Sequence, residues 1–213
     1  MKKTCKHCNP FCHSLDDITR EMLCGHITVT FLKPKQVQSF GSNEQLGIVA
    51  GGVFLTFTLL ENGSQESIEL VKEGDILGTH LLSNSVNYPE YYLMPLTEAK
   101  LCSIPLQVIK NQFNQNLHFA QVLLQSISQL HARNSIHSVN MNSKKGEDKV
   151  EYIYQSFQNL KIDMNIITQE DLALIAGVSR ITVARAMKKL FNRRKNEDRD
   201  KQATDLIKPP SIV

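Results

Sequence analysis

The sequence predicts an α+β fold in which a β domain precedes one long helix and a small helical domain. Between residues 27 and 104, short runs rich in Val, Ile, Thr and Phe alternate with turns that contain glycine or proline. From Asn114 to Asn140 the chain has no Gly or Pro, as a long helix requires. These changes divide the chain into a cysteine-rich segment (1–26), a β domain (27–112), a long helix (113–142) and a C-terminal domain (143–213).

The turns of the β domain are spaced as in a compact β-sandwich or β-barrel. Gly41, Gly51, Gly63 and Gly74 recur at roughly ten-residue intervals, and the pair formed by Asn62 and Gly63 predicts a hairpin. The apolar run at 47–60 is shorter than the ~20 residues that cross a membrane, so it is predicted to be buried strand and no membrane partner is expected.

Composition and charge limit the class of protein further. The 213 residues carry a formal net charge of +3, and 41% are hydrophobic, which is ordinary for a globular chain. The N-terminus lacks the apolar segment of a secretory signal, so we expect a cytoplasmic protein whose thiols stay reduced. In that setting the group Cys5, Cys8 and Cys12 indicates metal binding or redox sensing rather than a structural disulfide.

The long helix carries two adjacent apolar seams. The first consists of Leu117, Leu124, Ile127 and Met141, and the second of Phe119, Leu123 and Leu130. A helix with two apolar faces is expected to bury one against its own β domain and the other against a partner, so the first seam predicts a homodimer. The polar residues His131, Asn134 and Ser138 weaken that seam, and a helix buried within a monomer is the alternative.

The segment 168–190 has the pattern of a helix-turn-helix. Thr168 and Asp171 have the spacing of a capping box, and Gly177 supplies the left-handed turn residue between the helices. Inward-facing Val183 and Ala186 leave an outer face formed by Arg180, Ile181, Thr182, Ala184 and Arg185. Seven basic residues and no acidic one lie between positions 180 and 195, which favours nucleic acid as a partner over a merely solvated helix face.

Two motifs carry a resemblance to a known family. "GVSRITVARAMKKL" (177–190) is similar to the helix-turn-helix of the Crp/Fnr family of bacterial transcription regulators. The run at 47–78, which ends in Gly-Asp-x-x-Gly, is similar to the β-roll signature of that family. The resemblance covers about residues 15–191 and implies an N-terminal β-roll, a jelly roll of the cyclic-nucleotide-binding type, followed by a dimerisation helix and a helix-turn-helix domain.

The resemblance also implies a function, namely sequence-specific transcription regulation by a homodimer on palindromic double-stranded DNA, with RNA polymerase as a further partner. Arg180 and Arg185 are then expected to read guanine. Ile181 stands where many members have Glu, so a changed base preference is expected. Phosphate contacts are expected from Ser179, Thr182, Lys188 and Lys189. The charged segment after residue 191 predicts an atypical or missing wing and a basic, partly disordered tail.

Two kinds of sensor occur in this family. One branch binds a cyclic nucleotide through an arginine of the β domain, but this chain has no arginine between Arg20 and Arg133, so a cyclic nucleotide is not expected. The Fnr-like branch holds an oxygen-sensing [4Fe-4S] cluster with an N-terminal cysteine group and one distant cysteine. The resemblance therefore implies oxygen or redox control through a cluster whose ligands are Cys5, Cys8, Cys12 and Cys102.

Other uses of the cysteines remain open. Cys24 could replace Cys102, and a reversible disulfide between N-terminal thiols would give a redox switch without a cofactor. Zinc could bind the N-terminal cysteines together with His7 or His13. The sequence contains no catalytic motif, so an enzyme is not expected. A zinc-binding protein whose helix-turn-helix is only structural is the alternative from a different class.

Overall fold

The computed structural model describes residues 9–40, 44–61, 63, 65–82 and 91–205, with side chains described up to residue 193. The described helices are α1 (Pro10–His13), α2 (Asp17–Cys24), α3 (Leu106–Gln115), α4 (Leu117–Asn142), α5 (Gly146–Asn159), α6 (Gln169–Ala176) and α7 (Arg180–Asp205), with a short 3-10 helix at Thr79–Leu82. The described strands are β1 (Thr28–Leu32), β2 (Gln38–Phe40), β3 (Gln45–Gly51), β4 (Val53–Leu59), β5 (Gln65–Lys72), β6 (Ile76–Leu77), β7 (Tyr91–Pro95) and β8 (Ala99–Pro105).

The strands form two four-stranded antiparallel sheets with the orders β1-β8-β3-β6 and β2-β7-β4-β5. The apolar run at 47–60, predicted as buried strand, is split between β3 in the first sheet and β4 in the second. Gly52 allows the split, because its φ is +84° and a Cβ there would lie 2.5 Å from the carbonyl oxygen of Glu98. The predicted hairpin is the β4–β5 pair, and Asn62 itself lies outside the described residues.

Both faces of β4 are covered, which explains why its sequence is apolar without alternation. Phe54 points into the interior of the β domain and is fully buried. Val53, Leu55 and Phe57 point to the other side, where they share a core with residues of α5, α6 and α7. The second sheet is therefore the surface on which the C-terminal domain packs.

The long helix begins later than predicted. Asn116 separates α3 from α4, and its side-chain oxygen accepts a hydrogen bond from the backbone N–H of Phe119 at 3.0 Å. The second predicted seam is buried as expected, with Phe119, Leu123 and Leu130 packed against the β domain. Within the described ranges, no helix is both long enough and apolar enough to span a membrane.

The C-terminal domain consists of α5, α6 and α7. The predicted capping box is present at the start of α6, and Gly177 ends this helix with φ +60°. The next helix does not end near residue 191 as predicted but continues to Asp205, in place of the expected disordered tail up to that point. A stretch without Gly or Pro permits this extension, and residues 206–213, with any wing material there, lie outside the described part.

Candidate nucleic-acid interface and sensor site

The exposed side of α7 presents a narrow strip of side chains to solvent. Ile181, Ala184, Arg185 and Lys188 are exposed, and their spacing places them on one helix face. The opposite face is buried, because Val183 and Ala186 pack into the core of the C-terminal domain, as predicted. Over residues 181–188 the arrangement leaves a face with two basic side chains, Arg185 and Lys188, accessible to solvent.

The first turn of α7 is organised by hydroxyl groups. The Ser179 hydroxyl oxygen accepts a hydrogen bond from the backbone N–H of Thr182 at 3.2 Å and lies 3.0 Å from the Thr182 hydroxyl. A helix N-terminus of this kind favours an anion such as phosphate. Ser179 and Thr182, two of the four residues predicted to contact phosphate, therefore lie where such a contact is feasible.

Three basic side chains of α7 form ion pairs within the C-terminal domain. Arg180 pairs with Glu170 of α6 at 2.7 Å, although both side chains are largely exposed. Lys189 and Arg193 pair with Glu147 and Glu151, one turn apart on α5, the second pair at 3.0 Å. Lys189, predicted to contact phosphate, is thus directed toward α5. Exposed pairs of this kind contribute about 0–1 kcal/mol, so phosphate can displace them.

The outer face of α4 carries no Asp, Glu, Lys or Arg, and it presents exposed aliphatic side chains among polar ones such as Gln121, Gln125 and Ser128. Leu117 is 75% exposed, Leu124 53%, Ile136 63% and Val139 69%. Two other members of the predicted first seam contact their own chain instead. Ile127 packs against the β-domain core and Met141 against the core of the C-terminal domain. The exposed apolar face therefore consists of Leu117, Leu124, Ile136 and Val139.

The one Asp, Glu, Lys or Arg residue of α4 is Arg133, and it points toward the β domain. Its guanidinium donates two hydrogen bonds to the carboxylate of Asp75, one of them 3.0 Å long. Asp75 lies in the Gly-Asp-x-x-Gly turn and also accepts the backbone N–H of Lys72 at 2.7 Å. This contact was not predicted, although a single Asp, Glu, Lys or Arg residue among 26 helical residues was a usable signal.

A second polar contact joins α4 to the β domain next to the first. Asn134 donates a hydrogen bond from its side-chain amide to the carboxylate of Glu69 on β5. Burial raises the pKa of Glu69, and the nearby Asp75 carboxylate raises it further, whereas Arg133 and the Asn134 hydrogen bond act in the opposite direction. The first predicted seam had included Asn134, which the structure turns toward the β domain.

Glu69 borders a cavity of about 1000 Å³ between the β domain and α4. Its walls combine aliphatic side chains with polar ones, which include Thr56, His80, Tyr91, Asn114 and His131. Burial raises the pKa of Tyr91 and lowers the pKa of His80, so both favour their neutral forms. Among the described lining residues, the carboxylate of Glu69 and the ammonium of Lys110 are the full charges.

The described cysteines differ in burial. Cys12 of α1 and Cys102 of β8 are buried in the same hydrophobic cluster, whereas Cys24 is half-buried and lies outside that cluster. Cys5 and Cys8 lie outside the described residues, as does His7, and His13 is exposed. Within the part of the chain that is described, no three Cys, His, Asp or Glu side chains are placed to hold a metal ion.

The N-terminal segment that carries Cys12 contacts the start of α4. The rings of Phe11 and Phe119 meet edge to face, with centroids 6.3 Å apart. The side-chain amide of Asn116 donates to the Thr19 hydroxyl at 2.7 Å, next to the first residue of α4. On the other side, Pro10 packs over Gly74, where an added Cβ would lie 3.1 Å from the proline Cβ. The segment is thereby fixed between α4 and the turn that holds Asp75.

Polar contacts also join the helix-turn-helix to the β domain. The Lys35 ammonium lies 2.5 Å from the carboxylate of Asp171, the capping-box residue of α6, and 3.4 Å from the Thr168 hydroxyl. The Ser67 hydroxyl donates to the carbonyl of Leu174 at 3.3 Å. Together with the shared apolar core, these contacts hold α6 against the second sheet.

The fold is similar to that of solved transcription regulators. A protein described as a transcriptional regulator of the Crp/Fnr family from Eubacterium rectale matches with a TM-score of 0.67 at 14% identity, over 86% of this chain and 87% of that one. The c-di-GMP responsive global regulator CLP of Xanthomonas campestris gives 0.64 at 15% identity, over 84% and 93%. FixK2 from Bradyrhizobium japonicum gives 0.63 at 13% identity, over 78% and 85%. No family model and no curated protein matches the sequence. At these identities the likeness shows the Crp/Fnr fold.

Proposed function

We propose that this chain is a dimeric, sequence-specific DNA-binding transcription regulator of the Crp/Fnr type. The observation that carries the proposal is the exposed strip of α7, a basic helix face behind a glycine turn and a capping box. Guanidinium groups such as those of Arg180 and Arg185 can donate two hydrogen bonds to O6 and N7 of guanine in the major groove. Ile181, 66% exposed between them, offers an apolar contact to a thymine methyl group.

The dimer is proposed from the outer face of α4. Exposed aliphatic side chains on a helix without exposed charge form a surface that a second copy can cover. Two copies related by a two-fold axis would present two α7 helices to one palindrome, and binding both half-sites together raises the affinity for DNA.

DNA binding can be tested by selecting sites from random duplexes and then measuring fluorescence anisotropy. Arg185→Ala is expected to weaken binding about 5- to 150-fold and to relax the preference at one base pair, because a bidentate contact contributes about 1–3 kcal/mol. Arg20→Ala, on α2, is the matched control and should leave binding unchanged. Failure to select any sequence, in air or under anaerobic conditions, would contradict the proposed function.

The dimer interface can be tested by sedimentation. Leu117→Asp together with Val139→Asp places two charges on the proposed interface and is expected to give a monomer. Leu59→Asp, at an exposed leucine on β4, is the control and should keep the wild-type mass. A double variant that still sediments as a dimer would remove α4 as the interface.

As the sensor we propose an iron–sulfur cluster held by Cys5, Cys8, Cys12 and Cys102, of which the structure describes Cys12 and Cys102. Cys12 and Cys102 belong to one buried hydrophobic cluster of side chains. Beside Cys12, the buried side-chain nitrogen of Asn9 lacks a hydrogen-bond partner among the described residues. When bound, a [4Fe-4S] cluster supplies oxygen-sensitive one-electron chemistry. With Cys12 and Cys102 as ligands, the bound cluster would link α1 to β8.

A link between α1 and β8 through the cluster could affect α4, the proposed dimer helix, through contacts of the residues next to Cys12. Phe11, next to Cys12, packs on Phe119 in the first turn of α4, and Pro10 packs on the Gly74 turn. A segment held by ligands would keep both contacts in place, and a released segment would loosen the start of α4. Because the exposed apolar face begins at Leu117, this change would act on dimerisation and so on DNA affinity.

Anaerobic purification with iron and sulfide analysis tests the cofactor. Cys102→Ser is expected to abolish the visible chromophore. Cys24→Ser should retain it, because Cys24 lies outside the hydrophobic cluster of side chains that contains Cys12 and Cys102. A colourless, iron-free protein with normal DNA binding would contradict the cluster. In that case zinc content and thiol titration separate a zinc site from a disulfide switch.

A second candidate sensor is the cavity beside Glu69. Its partly aliphatic walls, with the Glu69 carboxylate and the Lys110 ammonium as the charged groups, favour an organic molecule that donates a hydrogen bond to Glu69. Arg133 is engaged by Asp75, so a nucleotide phosphate would lack a guanidinium there. Calorimetry with cyclic AMP is therefore expected to show no saturable binding, and saturable binding in this cavity would refute the argument.

A further inference from the structure

Two helices of the C-terminal domain are joined by matched rows of opposite charge. Glu147 and Glu151 lie one turn apart on α5, and Lys189 and Arg193 lie one turn apart on α7. The Lys189 ammonium contacts the Glu147 carboxylate, and one Arg193 nitrogen donates to both carboxylate oxygens of Glu151, at 3.0 and 3.2 Å. Two basic side chains of the proposed DNA-binding helix are thus neutralised by the protein itself.

The acidic partners are more buried than the basic ones. The side chains of Glu147 and Glu151 are 28% and 30% exposed, whereas those of Lys189 and Arg193 are 66% and 63% exposed. A long basic side chain in solvent can turn to another anion, but the carboxylate that it leaves behind stays partly buried without its cation. Each pair therefore lowers the gain from a phosphate contact without preventing the contact.

The start of α5 also lies beside the first turn of α7. A Cβ on Gly146 would lie 3.6 Å from the Thr182 methyl group. The first turn of α5 carries the carboxylates of Glu147 and Asp148. A DNA phosphate at the Thr182 hydroxyl would therefore approach two negative side chains, and this repulsion opposes binding to the DNA backbone.

We propose that Glu147 and Glu151 limit the non-specific binding of DNA by this chain and so increase its sequence preference. This inference rests on the DNA binding proposed above. Non-specific affinity comes from neutralised phosphates, and each of them contributes about 0.9 to the slope of log K against log salt. The proposed base contacts of Ile181 and Arg185 fix how α7 lies in a specific complex, with Lys189 directed toward α5. A non-specific complex lacks that constraint, so freed cations would strengthen it more.

The test measures fluorescence anisotropy with a duplex selected for tight binding and with a duplex of scrambled sequence, at several salt concentrations. Glu147→Gln together with Glu151→Gln keeps the shape of both side chains and frees the two cations. Glu21→Gln together with Glu73→Gln is the matched control, because it changes the net charge equally at two exposed residues outside the C-terminal domain.

We expect the Glu147 and Glu151 double variant to bind the scrambled duplex about tenfold more tightly, and the salt slope to steepen by about 1–2. The selected duplex should gain less, so the ratio of the two affinities should fall. The charge control should stay within about twofold of the wild type, because salt screens distant charges. Adding Lys189→Gln and Arg193→Gln to the double variant should return the affinity for the scrambled duplex to the wild-type value, because the freed cations are then gone.

Four results would overturn the role of the two carboxylates while leaving DNA binding intact. They are an unchanged affinity of the double variant for the scrambled duplex, equal gains on the two duplexes, an equal gain in the charge control, and a gain that survives the loss of both cations. A wild-type protein that binds neither duplex would instead overturn the proposed function, and this inference with it.

Discussion

Arg133→Met removes the contact by which α4 is joined to the Gly-Asp turn of the β domain. The substitution keeps a long, flexible side chain and takes away both guanidinium hydrogen bonds to Asp75. The Asp75 side chain is only 10% exposed and stays near the Glu69 carboxylate. The variant therefore leaves two acidic groups close together with no guanidinium between them.

The size of the effect follows from the geometry. A hydrogen bond to a charged group contributes about 1.5–3 kcal/mol, and breaking a fully buried pair costs about 3–5 kcal/mol. Here Asp75 keeps the N–H of Lys72, and the Arg133 side chain is 36% exposed, so part of the interaction is screened by water. We expect Arg133→Met to lower the free energy of unfolding by about 2–3 kcal/mol.

The assay is urea unfolding followed by circular dichroism, at fixed protein concentration because the proposed dimerisation would affect stability. Arg20→Met is the control, since Arg20 pairs with Asp17 inside α2 and the Asp17 side chain is 69% exposed, whereas that of Asp75 is 10% exposed. Its loss should cost about 0.5 kcal/mol or less. Equal losses for Arg133→Met and Arg20→Met would refute the inference that Arg133 and Asp75 join α4 to the β domain.

Three further predictions follow from other contacts. The pKa of Glu69 is raised above 4.5, so the stability that its protonated form contributes is present below that pH and is lost as the pH rises. Glu69→Gln should therefore stabilise the fold at pH 7 but not at pH 4 in urea titrations. An effect independent of pH would contradict the raised pKa. Lys35→Met, which leaves Asp171 without its cation, should cost about 1 kcal/mol in the same assay, and no loss would mean that this pair is fully screened. Ile181→Glu should change the preferred base at one position about tenfold in selected DNA sites, and an unchanged site would show that residue 181 does not contact bases.

The helix-turn-helix was predictable because its signals are local. The capping box spans four residues, and one glycine with positive φ separates the two helices. The buried seam of α4 was predictable for the same reason, since helical spacing alone puts Phe119 and Leu123 on one face.

The remaining features depend on contacts between residues far apart in the sequence. Arg133 and Asp75 are 58 positions apart, and no local pattern relates them. Met141 has helical spacing with Leu124 but lies where α4 reaches the C-terminal domain, so its packing depends on the position of that domain. For the cysteines, spacing in the sequence could not show that Cys12 and Cys102 lie in the same buried hydrophobic cluster of side chains.

The shared core beneath the helix-turn-helix has a consequence for how the molecule can be divided. Val53, Leu55 and Phe57 belong to the β domain by sequence, yet they are covered by the helices that follow α4. Cutting the chain between residues 143 and 146 would uncover an apolar sheet face on one fragment and the facing helix surface on the other. We therefore expect the two parts to fold and melt as a single cooperative unit, and a polar residue introduced on that face of β4 to weaken the C-terminal domain as much as its own sheet.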